Sequence, residues 1–241
     1  MADLNLESSV SETESTFQIL GSTEQVLNIR LTSHNDEKFS LLAEPQCLLH
    51  ATPEITVSSS FDLSCFRAFG GESIVSTRYS TKGSGIVGLT SKEPGKIIPV
   101  DLKSLPGSRL HCRRGSWLAT LGNAKVTSKM DCRVLTCCFG GQGLRQQQIT
   151  GEGTVFLSGG GTILRRTMKK HERLVLDDHC LLAWTGTVEF VSKFASPSCI
   201  FWCLDSTGEG SFNFVVSGGR EGGVIFIESF SHQRHRAAML N

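Results

Sequence analysis

The feature that most constrains this chain is a glycine-led apolar block that occurs three times. GSGIVGLTS begins at Gly83, GEGTVFLSG at Gly151 and GGVIFIES at Gly222. A block opening on a small doublet also recurs, as FGGES at Phe69, FGGQG at Phe139 and, more loosely, TGEGS at Thr207. A third shared stretch, ERLVLDDHCLLAW from Glu172, is echoed by LLAEPQCLLHA from Leu41 and by GSWLATLGNAKV from Gly115. The clearest copy spans residues 137–191. Matching glycines lie about seventy residues apart, longer than the ~20–50 residues of solenoid repeats. Three related β modules are expected instead, each too small to bury its own apolar face and stabilised by its siblings. A pseudo-threefold body is the simplest result.

Composition agrees. The chain has 241 residues, 39% hydrophobic and 20% charged, which is ordinary globular usage. Its 25 glycines sit at the ends of short β-branched runs, where tight turns need a residue that tolerates positive φ. The net charge of +1 makes no overall electrostatic case for nucleic acid or anionic lipid. Nine cysteines, an odd number lying mostly within apolar runs, predict reduced and buried thiols in an intracellular protein. No run approaches the ~18 apolar residues of a transmembrane helix.

In chain order, residues 1–16 are acidic and rich in Ser, Glu and Thr, and are expected to form a disordered leader. They resemble neither a secretory signal nor an arginine-rich presequence. Residues 17–230 are expected to form one all-β domain of three modules with little helix, followed by a basic tail at 231–241. FQIL and QVLNIRL alternate with the period of strands. In FSLLAEPQCLLHA the polar residues and proline suggest a tight turn between strands. IVSTRYSTKGSGIVGLTS reads as a hairpin bending near Lys82 and Gly83. Residues 92–109 carry Pro94, Pro99 and Pro106, which predicts turns and short edge strands.

Sites for chemistry are weakly signalled. Gly83-Ser84-Gly85-Ile86-Val87-Gly88 satisfies G-x-G-x-x-G, but a dinucleotide fingerprint requires a helix to open after it. The repeat partner GEGTVF places Phe156 where the third glycine would stand, favouring a turn between strands. The seven histidines form no H-x-H pair, and the local Asp/His cluster Asp177-Asp178-His179 is better explained by a strand turn. His111-Cys112 and His179-Cys180 are neighbours along the chain, and neighbours on a strand point to opposite faces. No catalytic residue, metal or cofactor is therefore expected. The densest basic cluster, Arg165, Arg166, Lys169, Lys170 and Arg173, is the candidate contact surface. Arg113-Arg114 and Arg234-His235-Arg236 are lesser ones. Few aromatics interleave for base stacking, so nucleic acid is an unfavoured partner.

FGGES, GSGIVGLTSKEPGKIIPVDL, GEGTVFLSGGG and DDHCLLAW, in this order, resemble the altered-inheritance-of-mitochondria protein twenty-four family, also called a mitochondrial biogenesis family. The match runs from about Phe17 to Phe230. The resemblance implies a module like the tryptophan RNA-binding attenuation protein, of compact double-stranded β-helix type, and ring-like assembly. It implies no established catalytic residues. It also implies a mitochondrial location and a link to the complex that organises inner-membrane cristae, although the chain shows no presequence. The resulting expectation is a non-enzymatic scaffold that binds protein partners, including copies of itself. The alternatives are an RNA-binding ring, a β-helix protein holding a metal or small ligand, and a cytoplasmic location.

Overall fold

The computed structural model describes residues 16–32, 40–62, 74–113, 115–130, 145–177, 180–194 and 212–230. These hold sixteen strands and two short 3-10 turns, Leu102–Ser104 and Pro106–Ser108. Thr16, the last residue of the expected leader at 1–16, begins the first strand; the rest of the leader, the tail at 231–241 and the FGGES, FGGQG and TGEGS blocks lie outside the described residues.

One six-strand unit recurs along the chain, after an extra first strand β1 (Thr16–Leu20). The first unit comprises β2 (Val26–Thr32), β3 (Ser40–Ala43), β4 (Leu48–Ala51), β5 (Ile55–Asp62), β6 (Ile74–Thr81) and β7 (Ser84–Thr90). The second comprises β8 (Lys96–Asp101), β9 (Arg109–Arg113), β10 (Trp117–Met130) and most of β11 (Arg145–Met168). In it, β10 does the work of β4 and β5 together, and β11 that of β6 and β7. The end of β11 opens the third unit, followed by β12 (Arg173–Asp177), β13 (Leu181–Thr185), β14 (Glu189–Phe194), β15 (Phe212–Ser217) and β16 (Gly223–Phe230).

The repeated glycine blocks form the central strand of each unit. β7 lies between β2 and β4, the 154–159 part of β11 between β8 and β10, and β16 between the end of β11 and β13. Their apolar runs are buried because a neighbour covers each edge: Val87, Leu89, Val155, Phe156, Leu157 and Ile225 are all fully buried. The ladders also agree residue by residue. Val87 pairs with Ala51, Val155 with Thr120 and Ile225 with Trp184. Each ladder then skips one residue, and in all three it is a leucine: Leu49, Leu118 and Leu182. Such a bulge lets consecutive side chains serve different surroundings. Trp117 packs among Leu110, Val155 and Leu157 of its own unit, whereas Leu118 packs among Leu41, Ala43 and Tyr79 of the unit before.

Units join edge to edge. β3 of the first pairs with β10 of the second, and β9 of the second with β13 of the third. The result is two six-stranded arrangements, β5-β6-β3-β10-β11-β8 and β10-β11-β9-β13-β16-β11, linked because β10 and β11 run through both. A four-stranded sheet, β1-β2-β7-β4, stands at one end and a three-stranded sheet, β12-β15-β14, at the other.

The corner between sheets is made differently in the middle unit. There Gly122 pairs with Gly153, at φ of 112° and 132°, and a Cβ on Gly153 would lie 2.3 Å from the Leu121 carbonyl oxygen. Glycine lets the two backbones cross the corner without leaving the ladder. The outer units break the strands instead. Thr52 and Thr185 hold equivalent corners, their hydroxyls accepting the N–H of Ile86 (3.1 Å) and of Val224 (3.0 Å).

The expected hairpin at Lys82-Gly83 is corrected. β6 pairs with β5 and β3 in one sheet and β7 with β2 and β4 in another, so residues 82–83 form a corner and not a hairpin bend. Strand alternation was read rightly, but the period of two does not say which neighbour completes the ladder. The proline-rich residues 92–109 do form an edge strand and turns: β8 carries Pro99 and, among the described residues, pairs only with β11.

Candidate functional site

The expected basic surface lies where the chain leaves β11 and turns into β12. Arg165, Arg166, Lys169, Lys170 and Arg173 are all exposed. The turn, with His171 at φ 56°, brings Glu172 back onto the cluster. One carboxylate oxygen accepts from the Arg166 guanidinium at 2.7 Å and the other from the Lys169 backbone N–H at 2.7 Å. The Arg166 hydrogen bond, helped by that backbone N–H, holds the Glu172 carboxyl below its ordinary range. Arg166 is thus compensated. Arg165, Lys169, Lys170 and Arg173 make no ion pair among the described residues. Arg165 and Arg166, being consecutive on a strand, point to opposite faces, so the cluster does not converge on one point.

The G-x-G-x-x-G stretch opens a strand, since Ser84–Thr90 is β7; there is no helix N-terminus to hold a pyrophosphate. Its third glycine, Gly88, sits against the His50 ring, where a Cβ would lie 2.1 Å from the ring carbon Cε1. That glycine is explained by close packing. No group of three metal-binding side chains occurs among the described residues. His34, Asp178 and His179 lie outside them.

Two of the described cysteines are buried, Cys47 and Cys112, and Cys180 is partly so; none forms a disulfide. Burial, with the Glu44 charge adding to it, pushes the Cys47 thiol up to about 11, and burial alone pushes the Cys112 thiol well above its usual value. Neither is poised as a nucleophile, because the thiolate is the reactive form. An open depression of about 450 Å³ lies where Gly95, Gly161 and Phe230 meet the β1–β2 turn. The two opposite charges on its wall, Lys96 and Glu24, are paired with each other.

Sequence reasoning pointed to module edges as places for pairing but did not say which strands would be open. β5, the outer part of β10, and β14 occupy equivalent places, and each pairs on one side only among the described residues. β4 likewise pairs only with β7, and β12 only with β15. Large apolar side chains are exposed on these edges: Leu48 (45%), Leu49 (53%), Val57 (50%) and Val175 (54%). Exposed edge strands are templates for pairing with another chain. The signal available beforehand was the repeat itself, which says that the modules should carry equivalent strands but not which neighbour each strand pairs with.

Fold and edges together define an all-β repeat protein in which several strands pair on one side only among the described residues. A family model described as mitochondrial biogenesis AIM24 matches residues 17–229, and the chain belongs to that family. Among solved structures it is similar to the crystal structure of protein SPYM3_0169 from Streptococcus pyogenes, with a TM-score of 0.70 and 20% identity over 94% of this chain and 99% of that one. At that identity the likeness shows the fold alone. Comparison with curated proteins gave no match. No helix among the described residues is long and apolar enough to cross a membrane.

Proposed function

We propose that this protein is a non-enzymatic β scaffold that supports mitochondrial biogenesis and inner-membrane organisation by binding protein partners along its strand edges. The observation that carries the reading is the threefold recurrence, among the described residues, of an edge open on one side, at β5, β10 and β14. A partner strand added to such an edge gains backbone hydrogen bonds, and side chains such as Val57 supply the apolar contact. Equivalent edges on one body raise avidity when a partner presents more than one strand. Family membership supports the mitochondrial setting. The reading also takes each unit to be a variant of the attenuation-protein module.

The test is protease-protection fractionation of cells carrying a tagged chain, with cross-linking of the protected pool. A protease-resistant mitochondrial pool cross-linked through β5, β10 or β14 to a membrane-organising protein is the expected result. Absence of any mitochondrial pool overturns the location, and cross-links that avoid these strands overturn the edge reading.

A second reading, RNA binding, draws on the exposed Arg165, Lys169, Lys170 and Arg173. It requires salt-dependent affinity that falls on charge reversal of Lys169 and Lys170. No binding at low salt removes it.

A further inference from the structure

We propose that β4 of one copy pairs antiparallel with β12 of a second copy, forming between chains the junction that the chain already forms twice within itself. The proposal does not depend on the scaffold reading, since a catalyst built on this fold would assemble in the same way.

Each unit leans on the next. Where the first meets the second, β3 lies beside the start of β10, with Leu41 opposite Leu121, Leu42 opposite Thr120 and Ala43 opposite Ala119. Where the second meets the third, β9 lies beside β13, with Leu110 opposite Thr185, His111 opposite Trp184 and Cys112 opposite Ala183. In both cases the bulged leucine of the later unit enters the core of the earlier one: Leu118 packs with Leu41 and Ala43, and Leu182 with Leu110 and Cys112. Among the described residues, no unit follows the third and none precedes the first.

The two ends carry matching deficits. β12 is the third unit's counterpart of β3 and β9, and Leu176 precedes Leu182 by the same interval that separates Ala43 from Leu49 and Cys112 from Leu118. Leu41, Ala43, Leu110 and Cys112 are fully buried, but their counterparts Leu174 and Leu176 are only partly so. At the other end, Leu118 is 1% exposed and Leu182 0%, whereas their counterpart Leu49 is 53% exposed. Its neighbour Leu48 is 45% exposed where Trp117 and Leu181 are buried, and all four residues of β4 are exposed. The third core, around Met168, Trp184 and Val216, lacks the inserted leucine that the other two contain. A half-junction that lacks a leucine and one that offers a leucine fit each other.

The two internal junctions dictate the register. Leu174 falls opposite Thr52, Val175 opposite Ala51 and Leu176 opposite His50, with Leu49 entering the core beside Leu174 and Leu176. The sheets β14-β15-β12 and β4-β7-β2-β1 then become one seven-stranded sheet, matching the two six-stranded arrangements inside the chain with β1 added at its edge. The interface is head-to-tail, because different surfaces meet. If it closes, the ring contains a whole multiple of three units.

The test uses the full chain at micromolar concentration. Native mass spectrometry and sedimentation are expected to show an oligomer. Leu49→Arg and, separately, Val175→Lys are expected to weaken it by on the order of thirtyfold or more, as for loss of a central apolar anchor. Both residues are exposed in the single chain, so unchanged circular dichroism should accompany the loss. The register is tested by mixing an Ala51→Cys chain with a Val175→Cys chain under oxidation. Directly opposed residues on antiparallel strands lie about 4.5–5.5 Å apart at Cα, within disulfide range. A mapped bond from 51 to 175 in the mixture, and in neither chain alone, supports the proposal. A monomeric wild-type protein, an unchanged size for Leu49→Arg, or a 51–175 bond that closes within one chain carrying both substitutions overturns it.

Discussion

Arg113 on β9 reaches the carboxylate of Glu228 on β16, residues 115 apart in the sequence, and the Glu228 side chain is only 2% exposed. The second carboxylate oxygen accepts the Gly160 N–H at 2.8 Å, where the β11–β16 ladder shifts register. Glu228 thus satisfies a backbone donor that the ladder leaves over, and ties β9 to the third unit's central strand. Glu228→Ala removes the acceptor of the buried Gly160 N–H and the carboxylate partner of Arg113, and is expected to cost about 3–5 kcal/mol. Urea unfolding measures it. Replacing Arg113 and Glu228 together by methionine should recover much of the loss, and a double variant as weak as the single would count against a desolvated pair.

The bulged leucines make a graded series. Leu118→Ala and Leu182→Ala each empty a filled site and should destabilise by about 2–5 kcal/mol. Leu49→Ala, on an exposed edge, should change the stability of the single chain by less than about 0.5 kcal/mol. Urea midpoints measured below the concentration of any assembly test the contrast.

Alkaline pH should weaken the fold through its buried thiols. Both Cys47 and Cys112 have folded pKa values raised chiefly by burial. Their contribution is fully present below the unfolded thiol value of about 8.5 and is lost as pH rises toward the folded value, because only the unfolded chain then releases its proton. For the fully buried Cys112 the slope approaches about 1.4 kcal/mol per pH unit above that point. Stability measured from pH 8 to 11 should fall, and a Cys112→Ala/Cys47→Ala chain should lose the part of that fall due to the thiols.

Two glycines of the repeated blocks should respond oppositely to alanine. At Gly83 an added Cβ meets nothing within 4 Å, so Gly83→Ala is expected to be neutral or to stabilise by up to about 1 kcal/mol. At Gly153, with φ at 132° and the Leu121 carbonyl 2.3 Å from the Cβ position, alanine should open the corner between two sheets and unfold a detectable fraction of the protein. Thermal melts of the two variants separate these cases.

The blocks at Gly83, Gly151 and Gly222 were legible as one element because each is an apolar run behind glycine, and each is the central strand of its unit. The pairings were less legible. Val75, Thr77 and Tyr79 alternate as any strand does, and only the sheet shows that β6 turns to β5 and not to β7. The basic cluster was legible as exposed charge, but its partial compensation depends on the turn that folds Glu172 back to Arg166. Leu48-Leu49 and Leu181-Leu182 look alike in sequence. Their opposite burial comes from a neighbour that one pair has and the other lacks.

β11 runs for 24 residues and passes through both six-stranded arrangements. Repeat proteins usually carry linkers between copies, where a protease can cut or a domain can be lifted out. Here the central strand of the second unit continues as the first strand of the third, so severing residues 159–161 would cut into both. The second and third units are therefore expected to unfold as one piece.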